Sequence, residues 1–343
     1  MRQRLLDLLA LPAVPLAAAL SPLAAHRPAP HAPVAPLRPD TRRPLSRGDT
    51  VSVLSWNIQF SAGRGEPFFY DGGPRVHATP EEVEATLSGI AAVLRERSPS
   101  VTFLQEVDRD ATRTGRRDQL RALMERLPGQ SAASATYWRA PFVPTPLRSP
   151  VGRVNMHLST LTPHGIAQAH RTQLALLDEP RVRRMFNLKR ALLTADIPVQ
   201  GGGVLKVANT HLSAFSFGDG TLDKQVDTLA AWMDSHPPDQ PWLLAGDFNL
   251  LPPTDDPERL ALSRPLYASA GDNPLRKLIP RFQVALDTAD PALRTYLPHG
   301  SAAADRTIDY IFYGGPLSLE GAGVLREKHA LSDHLPLWAD FRL

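Results

Sequence analysis

The chain has 343 residues, of which 43% are hydrophobic and 21% charged, a balance that suits folded domains and argues against disorder over the whole length. It has no cysteine, which excludes a disulfide framework, a thiolate nucleophile and a cysteine-ligated zinc site. A sequence pI of 9.3 points towards nucleic acid, yet seven arginines against only Asp7 and Asp40 fall within residues 1–47, so in a chain of net charge +3 the remainder is mildly acidic and lacks the broad basic footprint of tight non-specific duplex binding.

Residues 1–48 read as a Pro/Ala-rich leader, disordered or signal-like. Arg2 and Arg4 precede an apolar run from Leu8 to Ala25, as in an export signal. Asp7 opens that run, however, Pro12, Pro15 and Pro22 interrupt it, and no clean cleavage site follows. The same prolines argue against a membrane-spanning helix. Cytoplasmic and exported locations stand equal on this reading.

Residues 49–343 read as a single α/β domain, with short apolar runs alternating with amphipathic stretches. The run 51–56 is a buried strand. Thr79-Pro80-Glu81-Glu82 combines a capping hydroxyl, a proline at the first helical position and a reciprocal carboxylate, and so predicts a helix start. Val83, Leu87, Ile90 and Leu94 continue that helix on one face until Ser98-Pro99 ends it. A strand over 101–105, a helix over 116–127, and strands over 135–139 and 154–160 follow, with 141–150 as loop. Runs 188–197 and 204–210 form a hairpin across Gly201-Gly202-Gly203. Leu222, Val226, Leu229 and Met233 mark another helix face before a strand at 242–245. A Pro-rich connection over 251–296 leads to three terminal strands at 307–313, 317–326 and 335–343.

Six polar signatures stand at strand ends: Ser55-Trp56-Asn57, Gln105-Glu106-Val107-Asp108, Asn209-Thr210-His211-Leu212-Ser213, Gly246-Asp247-Phe248-Asn249, Thr307-Ile308-Asp309-Tyr310 and Ser332-Asp333-His334-Leu335-Pro336. Each alone has a plain structural reading. Glu106 suits a solvated strand terminus, Asp309 a partner for Arg306, Asp333 a turn, and Asp247 with Asn249 an Asx turn. Together they offer what phosphoester hydrolysis requires: charge neutralisation, a placed water and stabilisation of the leaving oxygen. Magnesium prefers hard oxygen ligands, and imidazoles titrate near neutrality.

In order and approximate spacing the six signatures resemble the endonuclease/exonuclease/phosphatase superfamily of deoxyribonuclease I-like metal-dependent phosphoesterases, over residues 51–343. That resemblance implies a four-layer α/β sandwich, two packed mixed β-sheets flanked by helices. It implies Mg2+, with Mn2+ as substitute, at Glu106 aided by Asn57, and Asp333 completing a metal site or a hydrogen-bond network. Asp247 would align or deprotonate the attacking water, while Asn249 and His211 would bind the phosphate. His334 would serve as general acid or base or stabilise the pentavalent phosphorus, with Asp309 orienting it.

The implied function is metal-dependent hydrolysis of a phosphodiester or phosphomonoester by in-line attack of water, with nucleic acid the default substrate and a monomer expected. A phospholipid or small-molecule phosphoesterase is the alternative, and a non-catalytic binding module is a third reading that the retained site residues disfavour. The chain departs from the pattern twice: Gln59 stands where many nucleases carry an acidic residue, and Thr160 where relatives carry a basic one. No tyrosine matches a phosphate-binding motif firmly. Two basic runs, Arg181, Arg183, Arg184, Lys189, Arg190 and Arg113, Arg116, Arg117, read either as solvated faces or as phosphate contacts. Phe60, Phe68, Phe69, Tyr70, Phe215 and Phe217 could stack bases, cover lipid chains or simply pack.

Overall fold

The computed structural model describes residues 26–38, 43–214, 218–260, 267 and 270–343. Residues 1–25, most of the expected leader, lie outside the described residues, as do Phe215, Phe217 and the side chain of Arg181. The proline argument against a membrane helix falls on those residues too. Among the described ones, no helix is long and apolar enough to cross a membrane.

Thirteen strands form two mixed sheets among the described residues. They are β1 (His31–Pro33), β2 (Thr50–Asn57), β3 (Val101–Asp108), β4 (Ser131–Val143), β5 (Gly152–Thr162), β6 (Gln168–Gln173), β7 (Ala191–Pro198), β8 (Val204–His211), β9 (Trp242–Asp247), β10 (Gln283–Val284), β11 (Asp309–Gly314), β12 (Ser318–Val324) and β13 (Leu337–Arg342). The six-stranded sheet has the order β12-β13-β2-β3-β5-β4, and the seven-stranded sheet β1-β6-β7-β8-β9-β11-β10. Each contains one parallel pair, β2 with β3 and β8 with β9.

A helix crosses over between the strands of each pair, as parallel strands require. The first, α1 (Pro80–Arg97), starts at the expected capping box: the Thr79 hydroxyl accepts from the Glu82 N–H at 3.2 Å, and the Glu82 carboxylate accepts from the Thr79 N–H at 2.8 Å. Two further helices are α2 (Gln119–Arg126) and the short α3 (Arg181–Phe186); α4 (Thr221–Asp234) makes the second crossover.

Alternation along the strands sorts the layers. Val51, Val53, Val101 and Phe103 of one sheet meet Val207, Leu243, Ala245 and Ile311 of the other in the central core. Leu54, Trp56 and Leu104 face outwards onto Leu87, Ile90 and Leu123, while Ala208, Leu244 and Phe312 face Val226 and Leu229. The result is the four-layer sandwich implied by the resemblance. Gly246 is required where β9 passes β8, because a Cβ there would lie 2.0 Å from the Thr210 carbonyl oxygen.

The chain departs from the sequence reading at its edges. Residues 26–38 and 43–48 are not a separate leader: β1 pairs with β6, Leu37 bridges Ala132, and fully buried Leu45 bridges Val199. Proline-rich sequence disfavours an inner strand but not an edge strand, which is where β1 lies. Strand β4 also runs to Val143, into the expected loop.

Candidate active site

The C-terminal ends of β2, β3, β8 and β9 open on the same edge of the sandwich, where β11 begins and the chain enters β13. Asn57, Glu106, His211, Asp247, Asn249, Asp333 and His334 all line one cleft there, and Asp309 lies directly behind His334. Loop residues reach the cleft by defined local geometry. A left-handed Asn249, φ 52°, lets its N–H donate to Asp247 Oδ1 at 2.9 Å, while Phe248 packs into the outer core against Tyr310 and Phe312. The Asx turn expected at this motif is therefore present, and both of its polar residues line the cleft. Ser332 ties the last motif to β2, donating to the Asn57 carbonyl at 2.7 Å and accepting from the His334 N–H at 3.2 Å. The Trp56 indole adds a bond to the His334 carbonyl at 2.8 Å.

Asp247 is the hub. Its Oδ2 accepts from Asn57 Nδ2 at 3.0 Å and lies 3.2 Å from His211 Nε2 and 3.6 Å from His334 Nε2. His334 Nδ1 donates to Asp309 at 2.9 and 3.1 Å, so the expected orienting carboxylate is in place, and Arg306 pairs with Asp305 instead. The tautomer of His211 follows from its neighbours. A carboxylate only accepts, so Nε2 carries the proton towards Asp247 and Nδ1 accepts from the Tyr137 hydroxyl at 3.1 Å. Tyr137 in turn accepts from the Glu106 N–H at 3.2 Å. Both ring nitrogens of His211 thus face protein groups, Nδ1 the Tyr137 hydroxyl and Nε2 the Asp247 carboxylate.

Asn57 differs from its expected place among metal ligands. Its carboxamide oxygen accepts from the Gln59 N–H at 3.0 Å, and its Nδ2 bridges Asp247 and Glu106, the latter at 3.3 Å. A flipped amide would set NH2 against N–H, so this orientation is fixed chemically and makes Asn57 a donor to two carboxylates.

Burial pushes the Asp247 carboxyl up to about 7, with Asp309 adding to the rise and His334 opposing it. Burial raises Glu106 as well; Arg113 opposes and Asp333 reinforces the shift. Asp71, on the loop before α1, is also lifted to about 7 by burial and by the charges of Asp333 and Glu106. Burial holds His211 well below its usual value, so it is neutral at pH 7. For His334 burial acts in the same direction, but Asp309 and Asp247 outweigh it and hold the imidazolium well above the usual value.

Asp247, Asp309 and His334 each offer a ligand atom within 4.8 Å of the others. Those atoms already serve one another, since both Asp309 oxygens are on His334 Nδ1. Glu106, Asp333 and Asp71 are further hard oxygen donors lining the cleft, and the charges of Asp333 and Glu106 contribute to the rise at Asp71.

Tyr137 and Arg190 were missed by sequence reasoning as individual site residues. Arg190 lines the cleft, lies 5.3 Å over the Tyr137 ring, and has a buried Nη1 without a hydrogen-bond partner. Five other members of the two basic runs are committed elsewhere: Arg113 to Asp108, Arg116 to Asp110, Arg117 to Glu84, Arg184 to Asp178 and the Glu179 carbonyl, and the Lys189 ammonium to three main-chain carbonyls. Thr160 is fully buried within β5 and does not line the cleft.

The model of the Endonuclease/Exonuclease/phosphatase family matches residues 54–334. The chain belongs to that family. It is accordingly a phosphoester hydrolase of a family that generally depends on divalent metal. No curated protein matches the chain. Among solved structures it is similar to the endonuclease/exonuclease/phosphatase from Beutenbergia cavernae, at 24% identity and a TM-score of 0.59, covering 88% of this chain and 72% of that one. It is similar also to the human nocturnin catalytic domain with bound sulfate, at 18% identity and TM-score 0.56 over 86% and 94% of the two chains. D. rerio TDP2 complexed with single strand DNA product follows at 16% identity and TM-score 0.53 over 86% and 99%. These likenesses carry the fold.

Proposed function

We propose that the protein is a magnesium-dependent phosphodiesterase in which water attacks phosphorus in line and one ester P–O bond breaks, with nucleic acid as the leading substrate. The observation that carries this reading is the arrangement around Asp247: a carboxylate raised towards neutrality, held by Asn57 and His211, facing an imidazolium clamped by Asp309. A carboxylate poised near 7 is suited to take a proton from water. The protonated His334 supplies positive charge and a donor beside Asp247. Asn249 uses one carboxamide hydrogen on the Leu212 carbonyl, at 3.1 Å, and keeps the other for a phosphate oxygen. Arg190 adds an unpaired guanidinium.

Glu106 and Asp333 would hold Mg2+, which when bound neutralises phosphate charge. Nucleic acid takes first place because D. rerio TDP2, of the same fold, is seen with a single strand DNA product. The test is turnover by the purified chain on plasmid, abasic DNA, RNA and sphingomyelin, before and after EDTA treatment. EDTA should abolish activity and Mg2+ or Mn2+ restore it; full activity in metal-free buffer would overturn the reading, and preference for sphingomyelin would move the substrate to lipid.

A further inference from the structure

The cleft has two unlike ends. One holds the polar groups around Asp247; the other is an arm walled by Phe69, Tyr70, Val76, Trp138, Val143 and Leu188. The arm is a firm surface. Phe69, Val76, Trp138 and Val143 belong to one hydrophobic cluster, and the Trp138 indole is pinned by a 2.8 Å bond from Nε1 to the Phe186 carbonyl. It also offers flat rings to whatever enters. Tyr70 stacks on Phe68 with centroids 5.4 Å apart and planes 5° from parallel, yet the residue remains 44% exposed at the cleft wall. Of five exposed large hydrophobics among the described residues, Tyr70 and Leu147 stand on loops and Phe142 at the end of β4, beside this arm.

Charge is distributed just as unevenly. The cation at the arm, Arg113, bonds Asp108 at 2.9 and 3.1 Å and lies 3.7 Å over Phe60 and 5.4 Å from Trp138. It is neutralised by that pair and unavailable to a second phosphate. Arg190, at the polar end, is the cleft guanidinium with an unpartnered nitrogen. The entire cleft encloses about 400 Å³, room for one phosphate and a substituent of ring-system size.

We propose that the arm is a subsite for one aromatic group esterified to the scissile phosphate, so that the preferred substrate is an aryl- or nucleoside-sized phosphodiester. This deepens the phosphodiesterase reading and rests on it. Stacking favours a flat ring over a methyl group by roughly tenfold in affinity.

The experiment is calorimetric binding of phenylphosphonate, methylphosphonate and decylphosphonate to the full chain with Mg2+. Phenylphosphonate should bind about tenfold more tightly than methylphosphonate. That ratio should fall to near one in Tyr70→Ala and return in Tyr70→Phe. Equal phenyl and methyl affinities, both dependent on Mg2+, would overturn the aromatic subsite while leaving the phosphodiesterase reading intact. Decylphosphonate binding more tightly than phenylphosphonate would overturn it in favour of an acyl chain. If no phosphonate binds with Mg2+ present, the phosphate site itself is misplaced and the subsite falls with it.

Discussion

The two parallel crossovers deliver unlike halves of the site. On the seven-stranded sheet, β8 and β9 end in His211 and Asp247, whose polar atoms are matched: tyrosine to imidazole, imidazole to carboxylate, carboxylate to amide. On the six-stranded sheet, Glu106 of β3 and the turn that follows β2 are conformationally costly, and one amide of that turn lacks partners. Glu106 has φ 58°, and Gln59, Phe60 and Ser61 follow one another at φ 44°, 42° and 55°. The buried Gln59 amide has neither its oxygen nor its nitrogen bonded. Strain and unpaired polar groups persist where something else compensates them. The half around Asp247 is thus finished by the fold, whereas strain and an unpaired buried amide gather on the acidic side.

The largest expected effect lies in the finished half. Asp247→Ala should lower kcat by about a thousandfold or more, since both water positioning and proton removal would go, while thermal unfolding stays cooperative. Near-normal turnover in this variant would break the division between halves. His334→Ala should cost a similar order. A gentler change tests the pH logic. With Asp247 raised to about 7, activity should climb with pH through that region as the carboxylate ionises. Because His334 is held well above its usual value, its deprotonation should give the falling limb at higher pH. Asp309→Asn removes the main charge sustaining the imidazolium, so the falling limb should move to lower pH, and the rising limb should follow by less because Asp309 also adds to the rise at Asp247. An unshifted falling limb would detach Asp309 from that role.

Much of this was legible because buried strands that end in polar groups leave a local signature. The capping box at Thr79 and the Asp247–Asn249 turn are short-range in sequence, whereas the Asp309–His334 pairing, 25 residues apart, was implied only by the family resemblance. Tyr137 and Arg190 carry no such mark. Each is a single residue on or beside a strand, and only the packing of one sheet on the other carries the Tyr137 hydroxyl, bonded within its own sheet by the Glu106 N–H, to His211. Strand β6, Gln-Ala-His-Arg-Thr-Gln, lacks an apolar run because Arg171 is buried by donating to the carbonyls of Thr136 and Lys189. The role of Asn57 was legible as to place but not as to atom, since which end of its amide faces the carboxylates depends on the Gln59 N–H. Tyr137→Phe isolates that packing-derived link: it deletes one donor to His211 and one acceptor for the Glu106 N–H, and should lower kcat about tenfold with little change in KM. An increase in KM with unchanged kcat would instead place Tyr137 in substrate binding.

The smallest expected effect sharpens the contrast from the acidic side. Gln59→Glu adds a carboxylate beside Glu106 without changing side-chain length, in a turn whose backbone is already set by Ile58, Asn57 and Gln119 contacts. Without a cation the new charge is buried among like charges, so the melting temperature in EDTA should fall by a few degrees, about 1 kcal/mol of destabilisation. With saturating Mg2+ the same charge becomes a further oxygen ligand or partner of a bound water, and binding to the native state alone raises stability as ligand exceeds its dissociation constant. The Mg2+-induced rise in melting temperature should therefore be larger in Gln59→Glu than in the parent chain, and absent in Glu106→Gln. Equal rises in all three proteins would mean that the cation binds away from the ends of β2 and β3, and that the strained turn at Gln59 serves something other than the metal.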